Sequence, residues 1–253
     1  MSATVPRSRS RRQSVSPAAV ALPLVLPLML LAGCAGESRP SFTERGYPQA
    51  PEQELPAAAS TATDVAITDL VEPVWLAVTA ERTGIPQRAV AAYAGAALRL
   101  AETMPDCGIG WNTIAGIAQV ESVHGAIFGG GIGDDGVVSP PIVGIPLDGT
   151  EGTMAVVDTD GGALDGDAEW DRAVGPLQFI PETWQRVGQD ANLDGVADPH
   201  NIDDAALTAG VYLCESGGEL VSDDGWNAAV STYNVPTAYA HRVAGYARDY
   251  FAG

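Results

Sequence analysis

The chain has 253 residues and a formal net charge of −19, with 46% hydrophobic and 18% charged residues. A protein this acidic is not expected to bind nucleic acid, because the phosphate backbone would repel it. The acidic residues are spread through loops rather than gathered in one block, which is typical of a solvated surface.

Residues 1–33 have the pattern of a signal peptide. Four arginines and no acid precede an apolar stretch at 18–32 that contains two prolines. This stretch is too short and too interrupted to be a good membrane span. The segment ends in Leu-Ala-Gly-Cys34, which resembles the lipobox of bacterial lipoproteins and implies that Cys34 becomes the lipidated first residue. The paired arginines at 11–12 leave twin-arginine export open.

A change of composition separates the leader from the folded part. Residues 34–65 are rich in Pro, Ala, Ser and Glu and show little periodic apolar pattern. We interpret them as a flexible Pro/Ala-rich tether between the lipid anchor and the domain. The remaining residues, 66–253, have a normal length for one compact domain with its own core.

This domain is expected to be mainly α-helical. Leu70, Val74, Trp75 and Val78 recur at helical spacing, and Gly-Ile-Pro at 84–86 ends the pattern. The same criterion predicts six further helices, at 87–104, 111–125, 181–187, 205–215, 226–233 and 238–251.

The stretch between residues 128 and 171 differs from the helical parts. It is dominated by Gly, Asp and Pro, with short β-branched runs such as 154–158. This composition predicts a Gly/Asp-rich loop or a small β insertion, and such long loops are often functional. One acidic cluster in it lacks regular spacing and is interpreted as a solvated loop; its members are Asp158, Asp160, Asp165 and Asp167.

Glu121 lies where a carboxylate has little structural reason to be. Ile114, Ile117, Ala118 and Glu121 fall at i, i+3, i+4 and i+7, on one helix face. Burial on a core-facing side raises the pKa of a carboxyl and lets it keep a proton near neutrality, so Glu121 is a candidate general acid. Two structural alternatives stay open: a helix face shifted by one residue, or an ion pair with a basic residue.

The three cysteines have two different expected roles. If Cys34 is lipidated, Cys107 and Cys214 remain, and an oxidising compartment would join them in a disulfide. Such a bridge would hold the start of the Glu121 helix against a second helix. Two buried free thiols are the alternative.

Residues 190–198 resemble the start of a calcium-binding loop. Oxygen-bearing side chains alternate and a glycine follows the third, which lets the loop curl around one cation. The expected ligands are Asp190, Asn192, Asp194, the carbonyl of Val196, and Asp198. An EF-hand has Glu at the twelfth position, where this chain has Asn201, so Asp198 or Asp203 would close the loop. The ion would be structural, and a plain turn without an ion is the alternative.

Several motifs occur in the order of one enzyme family. Glu121 is followed by Ser-x-His-Gly; then come Trp170-Asp-Arg-Ala-Val-Gly-Pro-Leu-Gln-Phe179, an Asp-rich loop, and Tyr233-Asn234. Together they resemble the lysozyme-like lytic murein transglycosylases, in particular the membrane-bound type B family in its actinobacterial lipoprotein form. The resemblance covers roughly the last 180 residues, and the motifs are specific in combination although each is weak alone.

The resemblance implies a mainly α, lysozyme-like domain that cleaves the β-1,4 bond between N-acetylmuramic acid and N-acetylglucosamine in peptidoglycan. The products would carry 1,6-anhydromuramic ends, with Glu121 as the single general acid and base and no catalytic cofactor. An inactive, lipid-anchored peptidoglycan-binding module is one alternative. A hydrolytic muramidase that uses a loop aspartate is another.

The resemblance also implies where the substrate and the protein lie. Substrate contacts are expected from Ser122, Gln178, Phe179, Tyr233 and Asn234. Packing is a structural alternative for Phe179, and a left-handed helix end is one for Asn234. A structural hydrogen bond is expected of His124. The protein would be exported and lipid-anchored to the outer face of the cytoplasmic membrane, facing the cell wall, with peptidoglycan glycan strands as its partner.

Overall fold

The computed structural model describes residues 40–150 and 152–251. The signal peptide and the Cys34 lipidation site lie outside the described residues. The chain from Pro40 onward forms one compact unit. None of the helices in the described ranges has the length and apolar character that a membrane crossing needs.

The described chain contains seven α-helices and only short strands, which confirms the mainly α-helical class. They are α1 Pro73–Thr83, α2 Gln87–Thr103, α3 Trp111–Ser122, α4 Pro181–Val187, α5 Ile202–Gly217, α6 Asp223–Tyr233 and α7 Thr237–Phe251. Two short 3₁₀ helices lie at Thr43–Arg45 and Ile67–Leu70. The bounds of α4 are those predicted, and the other helices differ from their predicted bounds by a few residues.

The helix ends follow from local hydrogen bonding. The Glu72 carboxylate accepts two free N–H groups of α1 at 3.0 and 2.6 Å, and Pro73 occupies the first helical position. Gly84, with φ 71°, ends the helix in the left-handed conformation. The side chains of Asn201 and Ser222 cap α5 and α6 in the same way as Glu72 caps α1, at 2.9 and 3.1 Å.

The core is built where α3 packs on α7 and α2, and where α2 and α6 pack on α5. Two glycines let these helices approach closely. A Cβ atom at Gly116 of α3 would lie 2.8 Å from the carbonyl oxygen of Val243 in α7. One at Gly210 of α5 would lie 2.2 Å from the Leu100 side chain in α2. Larger residues at either position would push the helices apart.

The apolar residues that predicted α1 do not all lie in the core. Val74 and Val78 are 68% and 57% exposed, whereas Thr79 is buried. The reason is that α1 packs against α2 at the surface. Trp75 makes the contact with the core: its ring and that of Trp111 meet edge to face, with 5.6 Å between their centroids.

The insertion contains two small antiparallel sheets. Strand β1, Gly131–Ile132, pairs with β2, Val138–Ser139, and β3, Val143–Pro146, pairs with β4, Arg172–Val174. The run at 154–158 forms only single bridges, Asp148 to Ala155 and Val157 to Trp170.

The carboxylates of the acidic cluster in the insertion are half-buried and accept hydrogen bonds from the loop itself, so the cluster is more than a solvated loop. Asp158 Oδ1 accepts the N–H groups of Asp160, Gly161 and Gly162 at 2.9 to 3.1 Å. Asp165 Oδ2 accepts the N–H of Arg172 at 2.6 Å, and the Asp167 carboxylate binds the Arg172 guanidinium at 2.8 and 2.9 Å. These carboxylates satisfy the backbone of an irregular loop, which needs partners when little regular structure supplies them.

The flexible tether predicted at 34–65 is wrong for residues 42–58, which we call the strap. The buried Asn112 accepts from the N–H of Glu54 at 3.1 Å and donates to the carbonyl of Glu52 at 2.8 Å. Gln53 Oε1 accepts the N–H of Gly110 and the hydroxyl of Thr113, both at 2.8 Å. The strap is therefore fastened across the start of α3.

The predicted disulfide is confirmed. Cys107 and Cys214 are bonded, and they join the residues just before α3 to the last turns of α5. The bridge closes a loop with a sequence separation of 107 residues.

Candidate active site

Glu121 lies in the last turn of α3, against the first turn of α7. Its surface is partly accessible, but the carboxyl is deep enough for burial to raise its pKa to about 7. The hydroxyl of Tyr239 donates to Glu121 Oε1 at 2.5 Å; this bond and the positive charge of Arg242 lower the pKa by less than burial raises it. No ion pair within 4.0 Å involves Glu121 among the described residues.

Tyr239 was not predicted as a site residue. It is 2% exposed and lies on the apolar face of α7 with Val243, Ala247 and Tyr250. From sequence this spacing indicates a core tyrosine, because nothing local shows that its hydroxyl meets α3. Burial and then the nearby charge of Glu121 raise the pKa of Tyr239 well above its usual value, so it stays a neutral donor.

Tyr233, at the end of α6, is a second buried phenol near Glu121. Its hydroxyl donates to the carbonyl of Leu177 at 2.7 Å. Burial first, and then the charge of Glu121, raise the pKa of Tyr233 well above its usual value. Tyr233 therefore ties α6 to the segment at 175–179 and lies within the electrostatic reach of the carboxyl.

Ser122 is not a substrate contact, because its side chain is fully buried. Its hydroxyl donates to the carbonyl of Pro176 at 2.6 Å and accepts the N–H of Gly125 at 2.8 Å. It therefore fastens the end of α3 to the segment at 175–179. The helix ends here, earlier than the predicted Gly125, since Val123 and His124 have φ values of 54° and 55°. Such values are strained for a β-branched residue.

His124 has the structural role expected of it. Its Nδ1 lies 3.1 Å from the hydroxyl of Tyr93, and its Nε2 lies 3.1 Å from that of Tyr250. Burial lowers the pKa of His124 to about 4, so the ring is neutral at physiological pH. It joins α3, α2 and α7 behind the site.

Gln178 is half-buried and has a left-handed backbone with φ 51°. Its Nε2 donates to the carbonyl of Gly175 at 2.9 Å, which leaves Oε1 as the oxygen available to a ligand. Phe179 is 3% exposed, and its ring contacts those of Trp184 and Tyr233 at 5.3 and 5.8 Å. The expected contact between Phe179 and substrate is therefore wrong, and the ring packs instead.

Asn234 lies in the exposed turn between α6 and α7. Its backbone is extended, with φ −154° and ψ 128°, rather than left-handed. Its N–H donates to the carbonyl of Val230 at 3.0 Å, and its side chain is at the surface. The alternative of a left-handed helix end is therefore wrong.

The structure thus brings parts of three motifs, residues 121–122, 175–179 and 233–234, together around one carboxyl. Ser122 links α3 to the segment at 175–179, Tyr233 links that segment to α6, and Tyr239 links α7 back to Glu121. Phe179 fills the space between them.

The predicted calcium loop supplies one observation that fits a cation. The N–H of Gly195 donates to Asp190 Oδ2 at 2.9 Å, while Asp190 Oδ1 is buried without a hydrogen-bond partner among the described residues. The nearby Asp204 is also buried; desolvation first, and the charge of Asp190 last, raise its pKa to about 6. A cation would relieve both carboxyls.

Other features of this loop fit a cation less well. Both Asp203 oxygens bind Arg88 at 2.6 Å, so Asp203 does not close the loop. Among the described residues, the three acidic side chains whose oxygens approach one another within 4.8 Å are Asp158, Asp160 and Asp171 of the insertion. The side chains of the predicted loop instead form turns with their own backbone, such as Asp194 Oδ1 with the N–H of Val196 at 2.9 Å.

A cavity of about 880 Å³ lies beside the disulfide, away from Glu121. Cys107, Met104 and Val221 line it, and it includes no residue of the three motifs. Comparison of the chain with protein-family models, with curated proteins and with solved structures found no match. Support for a function comes from the geometry around Glu121 and from the motifs.

Proposed function

We propose that the protein is a peptidoglycan lytic transglycosylase with a lysozyme-like catalytic domain, in which Glu121 is both general acid and general base. The observation that carries the proposal is the carboxyl-phenol pair of Glu121 and Tyr239. Burial gives Glu121 a pKa of about 7, and a neutral phenol binds one of its oxygens at 2.5 Å. A pKa near the working pH is what an acid that later acts as a base requires.

The hydrogen bond decides which oxygen of Glu121 carries the proton. Tyr239 donates to Oε1, so the proton of the neutral acid lies on Oε2. In the first step Oε2 gives this proton to the glycosidic oxygen, and the bond between that oxygen and C1 of N-acetylmuramic acid breaks with both electrons leaving on the oxygen. Tyr239 then stabilises the carboxylate that remains.

In the second step the Glu121 carboxylate acts as the base. It takes the proton of the C6 hydroxyl of the same sugar, and O6 forms the new bond to C1. The 1,6-anhydro ring closes, Glu121 is again protonated, and no water is consumed. The N-acetyl group of the sugar can support the positive charge at C1 between the steps.

The surroundings of Glu121 favour this reaction over hydrolysis by a carboxylate pair. Burial, Tyr239 and Arg242 are the influences on its pKa among the described residues, and none of them is a second acid. A hydrolase of the usual kind holds two carboxyls close to the scissile bond.

We assign substrate contacts to Gln178 through its Oε1, to Asn234 through its exposed amide, and to Tyr233 through the edge of its ring. Gln178 and Tyr233 are half-buried, and Asn234 is exposed beside them. Ser122 and Phe179 position the segment at 175–179 instead.

We further propose that the protein is exported and lipid-anchored at Cys34, on the outer face of the cytoplasmic membrane. The disulfide supports an oxidising compartment. A structural calcium ion is proposed at residues 190–198, held by Asp190, Asn192, Asp194, the carbonyl of Val196, and Asp198. Its support is the unpartnered oxygen of Asp190.

The proposal is tested by incubating purified protein with cell-wall sacculi and measuring soluble muropeptides. The wild type is expected to release them, and Glu121→Gln is expected to release none while its circular dichroism and melting stay those of a folded protein. Release by Glu121→Gln at the wild-type rate would refute the role of Glu121. Binding without release by the wild type would instead favour a peptidoglycan-binding module.

A further inference from the structure

The strap crosses the turn between α6 and α7 before it reaches α3. The hydroxyl of Tyr47 donates to the carbonyl of Val235 at 3.2 Å. In the second turn of α7, Nε2 of His241 donates to the carbonyl of Gly46 at 2.9 Å. Two neighbouring residues of the strap therefore bind the turn and the start of the helix that follows it.

This turn joins the two helices that carry the phenols of the candidate site. Val235 follows Tyr233 by two residues, and His241 follows Tyr239 by two residues. A shift of the turn would therefore move the start of α7, and with it the hydroxyl that binds Glu121. Because the strength of a hydrogen bond falls with distance and with misalignment, a displacement of this hydroxyl weakens its bond to the carboxyl.

The strap is held in place independently of these two contacts. The N–H of Ala50 donates to Asp223 at 2.7 Å, and the fully buried Asn227 donates to the carbonyl of Pro48 at 2.8 Å. Both partners lie in the first half of α6. The ring of Phe42 packs edge-on against Tyr47 at 5.1 Å. The strap is thus a fixed support from which Tyr47 can brace the turn.

We propose that Tyr47 and His241 are positioning residues of the Glu121 site, acting through the α6–α7 turn on the hydrogen bond between Tyr239 and Glu121. The effect on turnover rests on the proposed function, whereas the link between strap and carboxyl does not. The charge of Arg242 lowers the pKa of Glu121, and the charge of Glu121 raises that of Tyr233; both residues belong to the elements joined by this turn.

The test combines Tyr47→Phe and His241→Leu in the full chain. This double variant loses the hydrogen bond of the strap to the turn and the one to the start of α7, but keeps the apolar contacts. Release of muropeptides from sacculi is expected to fall about tenfold, because misplacement of a catalytic group lowers the rate steeply. His241→Gln keeps a donor for the carbonyl of Gly46 and is expected to stay within about threefold of the wild type.

The matched control loosens the strap at its other end. Gln53→Met removes the acceptor for Gly110 and Thr113 at the start of α3, far from the carboxyl. Its melting temperature is expected to fall at least as much as that of the double variant, while release stays within about twofold. An equal loss of release in Gln53→Met would mean that the strap acts through overall stability, and would overturn the proposal.

A second readout does not depend on turnover. In protein with carbon-13 at the tyrosine ring carbons, the signal of Tyr239, assigned with Tyr239→Phe, is expected to shift as Glu121 titrates near pH 7. In the double variant this pH response is expected to fall by about half or more. An unchanged response would overturn the proposal. A reduced response in a protein without lytic activity would refute the proposed function and support the positioning role.

Discussion

Ionisation of Glu121 makes the folded protein less stable, because burial raises the pKa of this carboxyl from its ordinary value of 4.5 to about 7. The stability associated with the neutral carboxyl is therefore complete below about pH 4.5 and is lost as the pH rises through about 7. The difference corresponds to a penalty of up to about 3 kcal/mol for the charged form.

Glu121→Gln removes this penalty. We expect its free energy of unfolding to exceed that of the wild type by up to about 3 kcal/mol near pH 9, and the difference to vanish near pH 4. Urea denaturation of both proteins at the two pH values measures it. The same stability difference at both pH values would contradict the burial of the carboxyl.

Tyr239 lowers the Glu121 pKa through its hydrogen bond, so its removal acts in the opposite direction. In Tyr239→Phe we expect that pKa to rise above about 7, and the rate at neutral pH to fall roughly 10- to 100-fold, because a hydrogen bond to the charged form is lost. The pH profile of muropeptide release measures both effects. Tyr246→Phe, at a 38% exposed position of the same helix, is the control and should behave as the wild type.

At the scale of elements, Ser122 joins α3 to the segment that carries Gln178. Ser122→Ala leaves the N–H of Gly125 and the carbonyl of Pro176 unpaired in a buried place. We expect a loss of about 1–3 kcal/mol in the free energy of unfolding, measured by chemical denaturation. Ser216→Ala, which removes a partly buried bond within α5, should cost less than about 1 kcal/mol. Equal losses in the two variants would argue against the linking role.

The loop at 190–198 leads into α5, so an ion there would stabilise that helix. Calcium is expected to raise the melting temperature of the wild type and to leave that of Asp190→Asn unchanged. Asp160→Asn distinguishes the acidic group of the insertion: if this variant alone loses the response, the ion binds there. No response to calcium or to a chelator in the wild type would remove the proposed ion.

At the scale of the whole molecule, the chain immobilises both ends of α3. The strap binds the start of the helix through Gln53, and the disulfide at Cys107 holds the residues just before it. Ser122 and His124 fasten its end. The fastening at the end of the helix lies beside Glu121 and is the one expected to hold its carboxyl in position, whereas the fastening at the start contributes to the stability of the fold.

Sequence patterns predicted the parts of this architecture that depend on local chemistry. The bounds of α2 and α4 and the pairing of Cys107 with Cys214 follow from apolar spacing, prolines and cysteine number. The strap was misread because its composition indicates flexibility, while its partners, such as Asn112, lie far along the chain. The same reason applies to Tyr239, whose partner is 118 residues away.

The burial of a side chain also distinguishes the two roles that each motif residue could have. Ser122 and Phe179 adjoin Glu121 and Gln178 in sequence, so a pattern gives no basis for separating a contact with substrate from a contact within the fold. The structure places both in the interior. Adjacent side chains point in different directions, so neighbours in sequence can serve different purposes.

Digestion of sacculi in water enriched in oxygen-18, followed by mass spectrometry of the released muropeptides, tests the central claim most directly. If Glu121 takes the proton of the C6 hydroxyl and O6 closes on C1, the new ends are anhydro sugars without the heavy isotope. Reducing ends that carry oxygen-18 would show that water attacks C1, and would contradict a single carboxyl that serves as acid and base in ring closure.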